Sequence, residues 1–268
     1  MMILKKKYSL ILMLVILASC SGYNKVLKSD NYERKFELAG ELYEKKQYLR
    51  SVALYEQIYQ RVPKTAEGEL AYYRLGKAYY FEGDYYMAGY YLGSFFQRFP
   101  YSPKAEECLF LSAMCSVKNS PDYTLDQNET ELAINDLQQF INKFPESSLV
   151  DSCNKVMDQL HFKLEEKDYA AVQQYSNIGE LKAAITTAST FLSDYPRSEY
   201  RESVYYVLVK NSYLITKNSI EQKKVQRIEE TLERYRNFVA EFPNTKHKRE
   251  LNSISDDLEK ELQTITSK

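Results

Sequence analysis

Two histidines, four cysteines and a few paired carboxylates are the residues of this chain with chemistry to offer. His161 and His247 stand far apart, and neither sits in a metal-binding spacing such as two histidines at i, i+4. Glu106-Glu107, Glu165-Glu166 and Asp256-Asp257 lie in polar helical stretches and read as solvated faces. Neither a serine nucleophile elbow nor a glycine-rich phosphate loop is present, and the 8 glycines are scattered. Cys108 and Cys115 are seven apart on an expected helix, roughly 10 Å along its axis, which is too far for a disulfide. A link through Cys153 stays open but is not demanded, and buried structural thiols are the expectation. The chain is therefore read as a non-enzyme that holds no metal.

The fourth cysteine differs from these. Lys5, Lys6 and Lys7 form a positive start, residues 9–17 an apolar run too short to span a bilayer, and Leu17-Ala18-Ser19-Cys20 follows. This order resembles the bacterial lipobox, which implies cleavage before Cys20 and its acylation. Residues 1–19 are then a signal peptide and residues 20–30 a lipidated tether, with a covalent lipid on Cys20 in place of any cofactor. The membrane is touched through that anchor only. Ser21 and the lack of an acidic run after Cys20 suit the outer membrane, on its periplasmic face, by resemblance to known sorting rules. Losing three lysines leaves 33 basic against 37 acidic side chains, a formal charge of −4. A surface so balanced has no basic stripe, and nucleic acid is excluded as a partner.

The elements that carry these residues show up as an internal repeat. Five segments end on a proline: Pro63, Pro100, Pro145, Pro196 and Pro243. Before each stands Val62, Phe99, Phe144, Tyr195 or Phe242, and two residues after it Thr65, Ser102, Ser147, Ser198 or Thr245. Five before it stands Ile58, Phe95, Phe140, Phe191 or Phe238, and twelve before it a small residue: Ser51, Ala88, Ala133, Ala184 or Thr231. Apolar residues at steps of three and four make one buried helix stripe. The small residue admits a neighbouring helix, proline ends the helix, and the hydroxyl is placed to cap the next one. Each unit reads as helix A, helix B and a proline turn.

The second unit fits the tetratricopeptide (TPR) pattern best, through Tyr72, Leu75, Gly76, Tyr79, Ala88, Leu92, Phe95 and Pro100. The expected fold is all-α: a TPR-like right-handed α-solenoid of five helix-turn-helix repeats closed by a polar capping helix over residues 251–262. Repeats 1–3 occupy residues 31–147, and repeats 4–5 with the cap occupy residues 148–268. The third repeat has a long A–B connection over residues 119–128, and an extra helical stretch over residues 149–167 precedes the fourth. In TPR units helix A lines the inner face. Carried over by that likeness, the face holds Phe36, Gly40, Tyr43 and Glu44, then Leu70, Tyr73, Lys77, Tyr80 and Phe81, then Glu107, Phe110 and Met114. The same rings would serve equally as packing between repeats. As a set, Phe36, Tyr43, Tyr73, Lys77, Tyr80, Phe110 and Met114 are the candidate groove for a peptide with aromatic and apolar side chains.

A lipobox followed directly by five TPR-like units with these proline turns resembles the BamD (YfiO) family of outer-membrane assembly lipoproteins. The resemblance runs over about residues 25–262. It implies a non-catalytic scaffold subunit of the machinery that inserts β-barrel proteins into the outer membrane. The N-terminal repeats would receive the aromatic-ended strand of unfolded outer-membrane proteins, and the C-terminal repeats would hold a BamA-like barrel subunit. The alternative is another lipid-anchored periplasmic TPR adaptor, for example in cell-wall coordination. A glycan-binding lipoprotein is disfavoured, because the chain has no Trp to stack on sugars.

Overall fold

The computed structural model describes residues 22–267, and Cys20 with the signal segment lies outside them. Among the described residues the chain is all-helical, with no strand. Eleven main helices follow one another: α1 Tyr32–Glu44, α2 Tyr48–Arg61, α3 Ala66–Glu82, α4 Tyr85–Arg98, α5 Ala105–Asn119, α6 Asn128–Lys143, α7 Val150–Asn177, α8 Leu181–Asp194, α9 Arg201–Lys217, α10 Glu221–Glu241 and α11 Lys248–Thr266. They divide into two compact units, one of residues up to 121 with 125–158, the other of residues 122–124 with 159–268. The long α7 gives its first turns to the first unit and the remainder to the second.

In the first unit each helix from α1 to α5 packs on the next. The repeat positions read from sequence are its skeleton. Ser51, Ala88 and Ala133 are fully buried where a neighbouring helix crosses, and Ile58, Phe95 and Phe140 are buried two turns further along the same helix face. Each fully buried Phe or Ile contributes about 1.5–3 kcal/mol. Gly76 sits so close to α4 that a Cβ there would lie 2.9 Å from the Leu92 side chain. Gly83, with φ +83°, ends α3 in the left-handed region, and Asp84 caps α4 by accepting from the Met87 N–H at 3.1 Å.

The second unit repeats the plan. α8 packs on α9, α9 on α10, and α10 on α11, which closes the stack. Ala184 and Phe191 on α8, and Thr231 and Phe238 on α10, are the buried small and aromatic pairs.

All five B helices, α2, α4, α6, α8 and α10, stop one residue before the proline pair. The residue preceding each proline has φ between −118° and −132° and ψ between 53° and 69°, outside the helical region as proline demands. The hydroxyls beyond the prolines correct the expectation of five caps. Thr65 alone caps, accepting from the Gly68 N–H at 3.1 Å. Ser102, Ser147, Ser198 and Thr245 instead accept from the N–H two residues on, at 2.9–3.2 Å. An extra turn there delays the helix start, so the hydroxyl sits too early to reach the second or third helical N–H. Two of these serines are used elsewhere: Ser102 donates to Glu69 at 2.7 Å and Ser147 to Glu106 at 2.6 Å, tying each proline turn to the preceding A helix.

Candidate functional site

Helices α1, α3 and α5 of the first unit carry the candidate groove: Phe36 and Tyr43, then Tyr73, Lys77 and Tyr80, then Phe110 and Met114. All seven are half-buried, packed on one side and open on the other. Phe36 packs on the core shared by α1, α2 and α3. The Tyr43 ring meets Tyr48 edge-on at 5.4 Å, Tyr55 at 6.3 Å and Phe81 at 6.4 Å. Arg74 lies 5.3 Å over the same ring and donates to the Tyr55 hydroxyl at 3.1 Å. Gly40 makes room for it, since a Cβ there would stand 3.3 Å from Arg74 Nη1. Burial in this cluster pushes the Tyr43 hydroxyl up to about 12.

Between α3 and α5 the structure brings Tyr73, Lys77 and Glu107 into one latch. Tyr73 donates to Glu107 at 2.6 Å, while Lys77 Nζ donates to Glu107 at 2.8 Å and to the Tyr73 hydroxyl at 3.1 Å. Burial works against the charge on both Lys77 and Glu107. Their mutual hydrogen bond and the one each shares with Tyr73 outweigh it, raising the lysine above its ordinary value and lowering the carboxylate below its own. Lys77 also lies 5.1 Å from the Tyr73 ring and 5.7 Å from that of Phe81. Tyr80 is edge-on to Phe81 at 6.0 Å and to Tyr85 at 5.7 Å, and Phe110 to Phe140 at 5.5 Å. The rings thus both hold the repeats together and present an aromatic face whose central cation is already neutralised. Such a face can take an apolar or aromatic peptide by ring contact without repelling either charge.

The second unit contains two further latches of the same build. Tyr206 donates to Glu250 at 2.9 Å with Lys210 donating to Tyr206 at 3.3 Å, and Tyr213 donates to Asp257 at 3.0 Å with Lys217 on the same carboxylate at 3.0 Å. The signal for them is a tyrosine followed four residues later by a lysine on helix A, at 73/77, 206/210 and 213/217. One turn of helix puts phenol and ammonium side by side, facing the next A helix. Around the latter pair opens a cleft of about 780 Å³ lined by Lys210, Leu214, Lys246, Arg249, Ile254 and Asp257 among others. His247 stacks on Tyr206 at 3.8 Å, and burial, then Lys246, holds its imidazole below the ordinary value. His161 is exposed on α7. Cys108, Cys115 and Cys153 are buried free thiols. Among the described residues no group of three or more His, Cys, Asp or Glu could hold a metal, and no helix is long and apolar enough to cross a membrane.

Comparison with known proteins follows the same line. The family model YfiO, outer membrane lipoprotein, matches residues 29–186 and 170–265. The outer membrane protein assembly factor BamD of Caulobacter vibrioides is 21% identical over 203 residues, which cover 74% of this chain and 67% of that protein. Among solved structures, the TPR-like repeats of a kinesin light chain from Podosopora anserina align at 15% identity and a TM-score of 0.32, over 81% of this chain and 100% of that one. Because the matched segments overlap and together run from residue 29 to 265, the chain belongs to the YfiO (BamD) family of outer membrane lipoproteins, which supports a role in the assembly of outer-membrane proteins.

Proposed function

We propose that this protein is a non-catalytic scaffold subunit of the outer-membrane β-barrel assembly machinery. Its covalent lipid sits on Cys20, in the leaflet facing the periplasm. The A-helix face of the first unit receives unfolded barrel clients, and the second unit docks a BamA-like barrel subunit. The observation that carries the client half is the run of half-open rings Tyr43, Tyr73, Tyr80 and Phe110 on successive A helices. A strand ending in an aromatic residue gains ring contact at each step, about 0.5–1.5 kcal/mol per aromatic pair beyond its area burial. The docking half is supported by the charged cleft at α9 and α11, where Lys246 and Arg249 stand beside apolar Leu214 and Ile254. A charged rim around an apolar floor suits a protein partner.

Affinity purification of the intact protein from detergent-extracted membranes tests this reading. Recovery of the barrel subunit in stoichiometric amount is expected. Recovery of cell-wall enzymes without any barrel-assembly subunit would transfer the chain to the other adaptor class.

A further inference from the structure

The described chain begins at a defined edge of the first unit, and that edge is apolar. Residues 22–27 form a helical turn seated on the start of α2. The Tyr23 hydroxyl donates to the Arg50 carbonyl at 3.0 Å, and the Arg50 guanidinium lies 4.4 Å from the Tyr23 ring. Val26 and Leu27 pack on the same core. The chain then runs to Tyr32, whose ring lies 5.9 Å from Arg61 at the far end of α2. The described chain therefore begins beside the α1–α2 turn. Cys20 is three residues before Tyr23, a reach of roughly 10 Å at most.

Three large apolar side chains stand open along this edge: Leu49 is 63% exposed, Phe81 50% and Tyr86 65%. The α1–α2 and α3–α4 turns are side by side, because Tyr48 stacks on Phe81 at 5.1 Å. Tyr86 belongs to the first turn of α4, and exposed Lys45 and Lys46 border the group. Leucine and phenylalanine enter the boundary between headgroups and acyl chains, tyrosine favours that zone, and lysine meets lipid phosphate. A lipid on a flexible tether fixes the protein to the bilayer but not its orientation, which a second contact sets. A tether of about 10 Å makes such a contact intramolecular, so even a weak one is populated.

We propose that the bilayer surface covers this edge: in the anchored protein Leu49, Phe81 and Tyr86 enter the interfacial zone and set which way the aromatic A-helix face looks. This goes beyond attachment through the lipid alone, and it rests on the reading of Cys20 as the lipidated residue.

The chain has no Trp, so one introduced Trp is a unique reporter. Leu49→Trp and Phe81→Trp report from this edge. Tyr101→Trp reports from beyond the other end of α4, about 20 Å away by the rise of a 14-residue helix, at a side chain that is 98% exposed. Chains of residues 20–268 are coupled through Cys20 to a maleimide phospholipid, the other three thiols being buried. They are then mixed into vesicles of phosphatidylethanolamine and phosphatidylglycerol with brominated acyl chains. Quenching at 49 and 81 at least twofold stronger than at 101 is expected. Equal quenching at all three, or none at 49 and 81, overturns the contact, and would leave a protein partner as what covers the edge. The mass of the natural protein extracted from membranes is read separately. An unmodified Cys20 there sinks the anchor and the proposal with it, whereas equal quenching on the coupled chain sinks the edge contact alone.

Discussion

Gly68→Ala adds a methyl group where the first proline turn leaves no space. An ideal Cβ at this position would stand 1.9 Å from the Val62 carbonyl oxygen, 2.9 Å from its carbon and 3.1 Å from Pro63 Cα. All three are backbone, so the clash cannot be relieved by a side chain swinging away. The Val62 oxygen also accepts from the Thr65 N–H at 3.2 Å and its hydroxyl at 3.0 Å, while that hydroxyl accepts from Gly68 N–H at 3.1 Å. Moving the carbonyl disturbs the turn and the α3 cap together. In an exposed helix the same change gains up to about 1 kcal/mol. Here overpacking costs about 1–3 kcal/mol, and weakened hydrogen bonds cost about 1 kcal/mol. The net is a loss of about 2 kcal/mol, or roughly 4–8 °C in Tm for a unit of this size. Thermal melting followed by circular dichroism reads it directly. Gly40→Ala is the control, because its Cβ would meet only the end of the Arg74 side chain at 3.3 Å, and it should leave Tm unchanged or raise it. A Gly68→Ala protein as stable as the parent would refute the close-approach reasoning.

Glu107→Gln weakens the latch between α3 and α5 by about 1 kcal/mol or less, since the carboxylate is partly exposed and solvent screens it. Because the folded carboxylate is held below its ordinary value, the contribution is present above about pH 4.3 and lost as pH falls through the lower folded value. Lys77 runs the other way, contributing below about pH 10.4 and losing that contribution as pH rises through its raised folded value. Urea titrations of parent and variant should therefore differ at pH 7 and at pH 9, with the difference shrinking as pH falls from 5 toward 3, and a difference independent of pH over that range would contradict the assignment. Phe140→Ala empties a fully buried site between Phe110 and Phe144 and should cost about 3–5 kcal/mol in a denaturant titration. Burial pushes the Cys108 and Cys115 thiols up to about 12, so a thiol reagent at pH 8 should label neither until the protein is unfolded.

The helix ends were legible from the proline turns because proline acts locally: it removes a donor and restricts its predecessor wherever it stands. The burial of the Ile58 and Phe95 positions, and of the small residue seven before each, was equally legible, since a helix shows one stripe per turn. The hydroxyls were misread as caps at Ser102, Ser147, Ser198 and Thr245, because the sequence does not say how many turn residues precede the next helix. The groove was legible as a set of positions, not as a surface. Tyr73 and Lys77 share a helix face with Tyr80, yet the first two are tied to Glu107 on another helix, a contact no local spacing reveals. What could have been read is the recurrence of tyrosine and lysine four apart. Exposure of Leu49 and Tyr86 runs against their residue type, yet both stand two before the buried small residue, where the other repeats carry exposed Glu131, Lys182 and Glu229.

The central claim is that the A-helix face of the first unit holds barrel clients. A photoreactive amino acid placed at Tyr73 or Tyr80 in the intact, membrane-anchored protein tests it most directly. The account predicts adducts with the C-terminal strands of unfolded outer-membrane proteins, lost when that strand's terminal aromatic residue is removed. Adducts confined to glycan or lipid at both positions would contradict it.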